Sequence, residues 1–403
     1  MKKPQLILPA GSFEKLKYAF AYGADAVYAG PPEISLRANL NEFNLTSLKE
    51  AILYSHRIKK KIYVTLNIFA HEEDLNSVER YMGELAGLRP DAFIISDPGI
   101  LNLIKTLNID IPVHLSTQAN TTNSESIKFW QERGVRRIIL ARELHFSEIQ
   151  KIREKVEDIE LEMFVHGAMC MAYSGRCILS NVMAGRDSNR GRCAQTCRWR
   201  YFLVEETRKG EYFEIEQDKR GTYILNSKDL CLIDRIPALK FLNIDGYKIE
   251  GRTKNVFYVS IAARAYRRAI DDIFDLNRSE VHGEDIRLLN LTDNHGFTYG
   301  FTFENDSSRQ NVYEKDYKKQ NIAGLIEDID EDKILIRVKN PISTGDRVTG
   351  ISPDEVVSFT ILDMHENGQK VQKATGAQGQ CVTAKIDTRL KGHGWKFGII
   401  ARA

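Results

Sequence analysis

Glu160-Leu161-Glu162-Met163-Phe164-Val165-His166-Gly167 is a short apolar run that ends on histidine and glycine. It reads as a buried strand whose C-terminal end meets a polar surface. The same punctuation recurs along residues 1–275. Gln5–Leu8 runs into Pro9-Ala10-Gly11, Ala26–Ala29 into Gly30-Pro31-Pro32, and Lys61–Leu66 into Asn67. Ala92–Ser96 runs into Asp97-Pro98-Gly99, Pro112–Ser116 into Thr117-Gln118, Arg137–Leu140 into Ala141-Arg142-Glu143, and Gly246–Ile249 into Glu250-Gly251-Arg252. Most of these runs are separated by helix-length stretches. One stretch opens at Ser12 and stops at Gly23; another is expected to start with a capping box of Ser47 and Glu50 and to end near Arg57. Strict β–α alternation implies a parallel sheet, and eight units favour a closed (β/α)8 TIM-barrel-like domain over an open doubly wound sheet. Thr222–Leu225 is a ninth candidate, placed after an inserted hairpin of Tyr201–Glu206 and Glu211–Glu216.

Beyond the barrel, residues 256–275 read as a long helix and 276–320 as a polar linker with short strands around Phe297–Phe303. From residue 321 to the end the pattern becomes short alternating strands: Lys333–Val338, Asp346–Gly350, Val356–Met364, Gln380–Ile386 and Trp395–Ile400. That predicts a small C-terminal β-barrel. The domain reading is therefore a barrel over 1–275 with a cysteine-bearing insertion near 168–221, a linker over 276–320, and a β-domain over 321–403.

The chain has 403 residues, with 57 basic and 55 acidic side chains for a net charge of +2, and 42% hydrophobic residues. Such a composition supports real cores and excludes wholesale disorder. No apolar run reaches the ~20 residues of a membrane span, and the N-terminal apolar stretch is too short for a secretory signal, so a cytoplasmic protein with no membrane partner is expected. Neither a GxGxxG nor a GxxxxGK[ST] phosphate loop occurs. HExxH and GxSxG are also absent, and no Ser–His–Asp or Cys–His pair is evident.

Six cysteines are too sparse for a disulfide scaffold, and four of them cluster as Cys170-x6-Cys177-x15-Cys193-x3-Cys197. Four thiolates can hold zinc or an iron–sulfur cluster, and the loose spacing suits a cluster better than a zinc knuckle; buried thiols without metal are the bland alternative. Gly167, Gly175 and Gly191 allow tight turns nearby. Arg176, Arg186, Arg190, Arg192, Arg198 and Arg200 surround the cysteines, where positive charge favours thiolates and could equally track a nucleic-acid backbone or form a solvated loop.

The run Glu162-x-Phe164-x-x-Gly167-Ala168-Met169-Cys170-x4-Gly175-x-Cys177-x-Leu179-Ser180 resembles, position by position, the signature of the collagenase-like peptidase family of unassigned mechanism. Leu8-Pro9-Ala10-Gly11, Gly23-Ala24-Asp25-Ala26-Val27-Tyr28, Ser227-Lys228-Asp229-Leu230 and Lys248-Ile249-Glu250-Gly251-Arg252 are similar to the same family, so the resemblance covers nearly the whole chain; Thr253 departs from a frequent Met. The family was named for proteolysis, but several members are hydroxylation proteins for RNA or quinone that bind a [4Fe-4S] cluster through four cysteines. The branch with a terminal β-domain and this KIEGR segment installs 5-hydroxyuridine at the tRNA wobble position with prephenate as hydroxyl source. Other members hydroxylate a 23S rRNA cytidine or ubiquinone precursors, and some function as paralogous pairs.

The resemblance implies that Cys170, Cys177, Cys193 and Cys197 hold the cluster, and that tRNA and a small-molecule hydroxyl donor are the partners. Arg37, Arg142, Lys248 and Arg252 are candidate anchors for a dicarboxylate. Arg186, Arg190, Arg192 and Arg198 are candidate RNA contacts, and Tyr173, Trp199 and Tyr201 could stack on a splayed base. Glu250, His166 and Asp229 are the candidate acid–base groups, with Glu143 a further one. Glu250 ranks first because Lys248 and Arg252 flank it. Peptidase, rRNA hydroxylase and non-catalytic subunit of a hetero-oligomer remain the alternatives; each polar residue singled out is also compatible with packing or an internal ion-pair network.

Overall fold

A computed structural model describes residues 2–31, 42–170, 172–198, 217–218, 221–222, 228–303 and 322–402. Arg37, Trp199, Tyr201, both strands of the inserted hairpin and most of Thr222–Leu225 lie outside the described residues, as does the side chain of Arg198.

Seven parallel strands follow in order: β1 (Gln5–Pro9), β2 (Ala26–Ala29), β3 (Lys61–Leu66), β4 (Ala92–Ile95), β5 (Val113–Leu115), β6 (Val135–Ile139) and β7 (Glu160–Ala168). Gly246–Ile249 pairs in parallel with both β7 and β1, which closes an eight-stranded barrel. The eight expected strands are all present. Four of the six connecting helices before β7 begin where short polar side chains satisfy free N–H groups: Ser12, Asn44, Asp97 and Asn123 each accept from the first turn. The second helix, Leu45–Arg57, departs from expectation, because its capping box is Asn44 with Ser47 rather than Ser47 with Glu50. The long helix Val256–Phe274 is as expected and buries one side against β1.

Part of the stretch read as a linker belongs to the barrel domain. Gly283–Leu291 is a helix whose Leu288 and Leu289 join the barrel core, and Phe297–Thr298 pairs with Asp229–Cys231, which itself lies antiparallel to the end of β7. The polar surface of this helix hid its two buried leucines. Among the described residues, no helix is long and apolar enough to cross a membrane.

The C-terminal domain is a closed antiparallel barrel of six strands: Ile322–Asp330, Lys333–Val338, Arg347–Ile351, Val356–Glu366, Cys381–Ile386 and Ile399–Arg402. Residues 395–397, expected to open a strand, belong instead to a 3-10 turn, His393–Phe397, that buries Trp395, whose indole N–H donates to Glu355 (2.7 Å). This domain is welded to the first. The Tyr22 hydroxyl lies 2.8 Å from the carbonyls of both Ile351 and Phe397, Arg337 pairs with Glu14, and Leu325, Ile351 and Ile399 pack into the barrel's own apolar cluster.

Candidate functional site

In parallel barrels, ligand sites form at the C-terminal ends of the strands. Here that face carries a cavity of about 160 Å³. Its wall divides into three parts. The ends of β3 and β5 contribute neutral hydrogen-bonding groups, among them Thr65, Asn67, Ser116, Thr117 and Gln118. The end of β6 and the eighth strand contribute Arg142, Lys248, Glu250 and Arg252. The insertion after β7 closes over the top with Cys170, Cys177, Cys193 and Cys197, all four of which line this one cavity.

The charged part continues down the barrel axis. Lys248 Nζ lies 2.7 Å from Glu162 Oε1, and Glu162 Oε2 lies 3.1 Å from Arg137 Nη1. All three side chains are buried, in a barrel interior that is usually filled by Val, Ile and Leu. The two cations hold the Glu162 carboxyl below the usual carboxylate range although burial opposes it; burial pulls the Lys248 amine below its ordinary value despite Glu162. Lys248 is therefore half of a buried ion pair that reaches the cavity floor, not a solvated anchor. Its ammonium sits 4.4 Å from the centre of the Tyr28 ring.

Arg142 stacks 3.9 Å from the Phe164 ring centre, donates to the Ala168 carbonyl (3.1 Å), and reaches Glu250 Oε2 at 3.4 Å. Arg142, from the end of another strand, is thus a cation within hydrogen-bonding reach of Glu250. Arg252 donates to Thr65 Oγ1 (3.1 Å). The backbone beneath is crowded. A Cβ at Gly167, where φ is +107°, would lie 2.3 Å from the Glu250 carbonyl oxygen and 2.9 Å from the Tyr258 hydroxyl. Only glycine lets the end of β7 pass so close to the Glu250 backbone.

Two of the candidate acid–base residues are buried elsewhere and do not line the cavity. His166 is enclosed by the rings of Tyr258, Tyr266 and Phe297, and burial lowers its pKa to about 4. Asp229 is fully buried, 3.1 Å from His295 Nδ1 and 3.8 Å from Lys254 Nζ; those partners outweigh burial and keep its carboxyl below its ordinary range. Glu143 pins the insertion instead: it accepts from the Ser174 amide (2.6 Å) and hydroxyl (3.1 Å), holding Ser174 in a left-handed conformation.

The expected arginine cluster separates into different roles. Arg190, a candidate RNA contact, is committed to Glu73 and Asp74 at 2.7 Å each and ties the insertion to the loop after β3. Arg186 and Arg192 are exposed. Arg176 donates to the Gln118 carbonyl (2.8 Å) and lies over Phe69. Tyr173 is exposed, together with Ile178 and Val182 of the insertion. Sequence reasoning missed Arg137, Glu162, Asn67 and Gln118. The last two stood in the quoted strand ends, and the charge within the β6 and β7 runs was the available signal for the first two.

Among the described residues, no three His, Cys, Asp or Glu side chains are close enough to chelate a single metal ion. Four thiols facing one cavity do fit a larger centre, whose ligands approach separated corners.

The model of peptidase family U32 matches residues 11–311, and that of the family's C-terminal domain matches 318–393. The chain belongs to peptidase family U32. A tRNA hydroxylation protein P of Escherichia coli is 38% identical, over 93% of this chain and 92% of that protein. A 23S rRNA 5-hydroxycytidine synthase of the same organism is 31% identical over 91% of this chain and 55% of its own length. A collagenase of Porphyromonas gingivalis is 29% identical over 98% and 97%. Members of family U32 named for RNA hydroxylation and for proteolysis therefore both align with the barrel and its insertion.

Proposed function

We propose that this chain is an RNA hydroxylase that installs 5-hydroxyuridine at the tRNA wobble position, with a [4Fe-4S] cluster on Cys170, Cys177, Cys193 and Cys197 and a dicarboxylate such as prephenate as hydroxyl source. The observation that carries the reading is the convergence of four thiols, three cations and a row of neutral hydrogen-bonding groups on one cavity. The full-length similarity to a tRNA hydroxylation protein supports the same choice.

A bound cluster supplies the redox and Lewis-acid chemistry of iron. The chain's own residues do the rest. Arg142, Lys248 and Arg252 bind carboxylates; Phe164 and Tyr28 keep Arg142 and Lys248 against apolar faces, where charge–charge attraction is less screened. Glu250 is placed to take or return a proton, held by Arg142. Arg186, Arg192 and Tyr173 on the exposed insertion offer the RNA its phosphate and stacking contacts.

The peptidase reading has less support. No histidine is among the described residues that line the cavity. The one buried His–Cys neighbourhood, His166 beside Cys231, is inert in its charge state: burial lowers the imidazole to about 4 and raises the thiol to about 11. An activated thiolate–imidazolium pair needs the opposite shifts.

The test is anaerobic purification followed by iron, sulfide and absorption analysis of wild type and Cys193→Ala, then nucleoside analysis of tRNA from a strain lacking the protein. Four irons and four sulfides per chain, lost in the variant, together with loss of 5-hydroxyuridine in the strain, are the expected results. Zinc instead of iron, or undiminished 5-hydroxyuridine, refutes the proposal.

A further inference from the structure

Gln118 sits in the 3-10 turn Thr117–Ala119 that follows β5, on the neutral side of the cavity. Its side chain is held in one orientation. Oε1 accepts from Asn67 Nδ2 at 2.9 Å and from Ser96 Oγ at 3.3 Å, which occupies both lone pairs of the amide oxygen. The backbone is fixed as well: its N–H donates to Ser116 Oγ and its carbonyl accepts from Arg176 Nε. With the oxygen engaged in this way, the NH2 group points away from Asn67 and Ser96. Among the described residues Nε2 has no hydrogen-bond partner, and it is not among the polar atoms sealed from solvent. Gln118, which lines the cavity, thus carries an oriented, neutral, donor-only group on the side of Gly175, another lining residue.

A neutral NH2 with no counter-charge is suited to a neutral carbonyl. The carboxylates of a co-substrate are better matched by Arg142 and Lys248 on the other wall. A pyrimidine edge differs between uracil and cytosine at C4: uracil offers a carbonyl acceptor, cytosine an amino donor. An oriented donor facing that position accepts the first and meets the second donor to donor. We propose that Gln118 is a specificity-determining residue that donates Nε2–H to a pyrimidine carbonyl and so selects uracil over cytosine. The inference rests on the hydroxylase reading above and deepens it by naming how the base is told apart.

The test uses full-length protein expressed in a strain lacking it, with reporter tRNAs that carry either U or C at the wobble position. Hydroxylated uridine and cytidine are quantified by mass spectrometry of nucleosides. Variants are Gln118→Met, which removes the donor at similar volume, and Gln118→Glu, which keeps an oxygen for Asn67 and Ser96 but replaces the NH2 by an acceptor. Iron content and absorption spectra confirm that each variant assembles as wild type does. The expected result is that Gln118→Met lowers the U-over-C preference by about ten- to a hundredfold, and that Gln118→Glu lowers modification of U while raising that of C above wild type. An unchanged preference overturns the assignment. So does a raised KM for the carboxylate co-substrate with the base preference intact, which would make Gln118 a contact for that molecule. Wild-type protein that hydroxylates neither tRNA would overturn the underlying function instead, and the assignment with it.

Discussion

Glu162→Gln isolates the charge string inside the barrel. The substitution keeps volume and removes one negative charge between Lys248 Nζ at 2.7 Å and Arg137 Nη1 at 3.1 Å. Arg137 retains a partner, because its guanidinium also meets Glu160 at 2.6 Å. Lys248 does not retain its 2.7 Å ion pair. Breaking a buried pair by removing one member costs about 3–5 kcal/mol, and the lysine can limit the cost by releasing its proton. From an ordinary pKa of ~10.4, neutralising an amine costs about 3 kcal/mol at pH 8 and about 1.4 kcal/mol more for each unit lower. The sign follows from proton uptake. In the variant the folded amine is neutral and the unfolded amine charged, so the unfolded state binds more protons and stability rises with pH from 7 to 9. In wild type, Glu162 is a depressed acid with the same sign in a lower pH window: its stabilisation is present above the carboxylate's unfolded pKa of ~4.3 and is lost as pH falls through the folded value. Urea titrations followed by helical circular dichroism report on the barrel, since the described α-helices all lie in that domain. The expected loss for Glu162→Gln is about 3 kcal/mol at pH 8, steepening toward pH 7, and largely recovered in Glu162→Gln with Lys248→Met. A loss below about 1 kcal/mol that is flat with pH would show that the string carries no such electrostatic coupling.

His166 makes a second acid-sensitive contribution: its folded pKa of about 4 lies below the unfolded ~6.5, so about 3 kcal/mol of stability is present above pH 6.5 and is lost as pH falls toward 4. Replacing it with Phe should flatten the acid limb of a stability–pH curve; an unchanged limb would assign acid sensitivity elsewhere. Gly167→Ala must displace the Glu250 backbone or leave φ at +107°, and is expected to reduce tRNA hydroxylation at least tenfold while retaining the cluster spectrum; wild-type turnover in this variant would mean that the position of Glu250 is not critical. Tyr22→Phe removes a hydroxyl shared between the Ile351 and Phe397 carbonyls and should cost about 1–2 kcal/mol, read as faster amide exchange in Ile399–Arg402 than in wild type. Equal exchange would show that the Tyr22 hydroxyl contributes nothing to holding the two domains together.

The fold was legible because each barrel strand carries its own punctuation: an apolar run, then Pro-Ala-Gly, Asp-Pro-Gly or Glu-Gly-Arg. Those endings are also where the cavity formed, so Arg142, Lys248, Glu250 and Arg252 could be named before any geometry existed. Their partners could not. Glu250 was expected to be held by its sequence neighbours, which do share its face of the strand at a two-residue spacing, but a further cation, Arg142 from the end of β6, also reaches it at 3.4 Å. His166 and Asp229 were polar residues near strand ends, like the others. They differ in what their side chains pack against, the rings of Tyr258, Tyr266 and Phe297 for His166 and the side chains of His295 and Lys254 for Asp229, which one-dimensional pattern does not encode. Arg190 had the composition of an RNA contact, but it holds the insertion to Glu73 and Asp74, across 116 positions of sequence. The general lesson concerns charge. A charged residue inside an apolar β run, such as Arg137 or Glu162, has no solvent-facing side to escape to in a closed barrel. It must find an opposite charge from another strand. Glu162 at the third position of β7, Arg137 on β6 and Lys248 on the eighth strand form such a set, and each made a neighbouring strand's charge predictable. In this barrel that requirement leads from Arg137, toward the N-terminal ends of the strands, to Lys248 at the cavity on the opposite face. It explains why a lysine side chain can stand on the floor of a cavity without solvent to support it: Glu162 holds its ammonium in place from within the barrel.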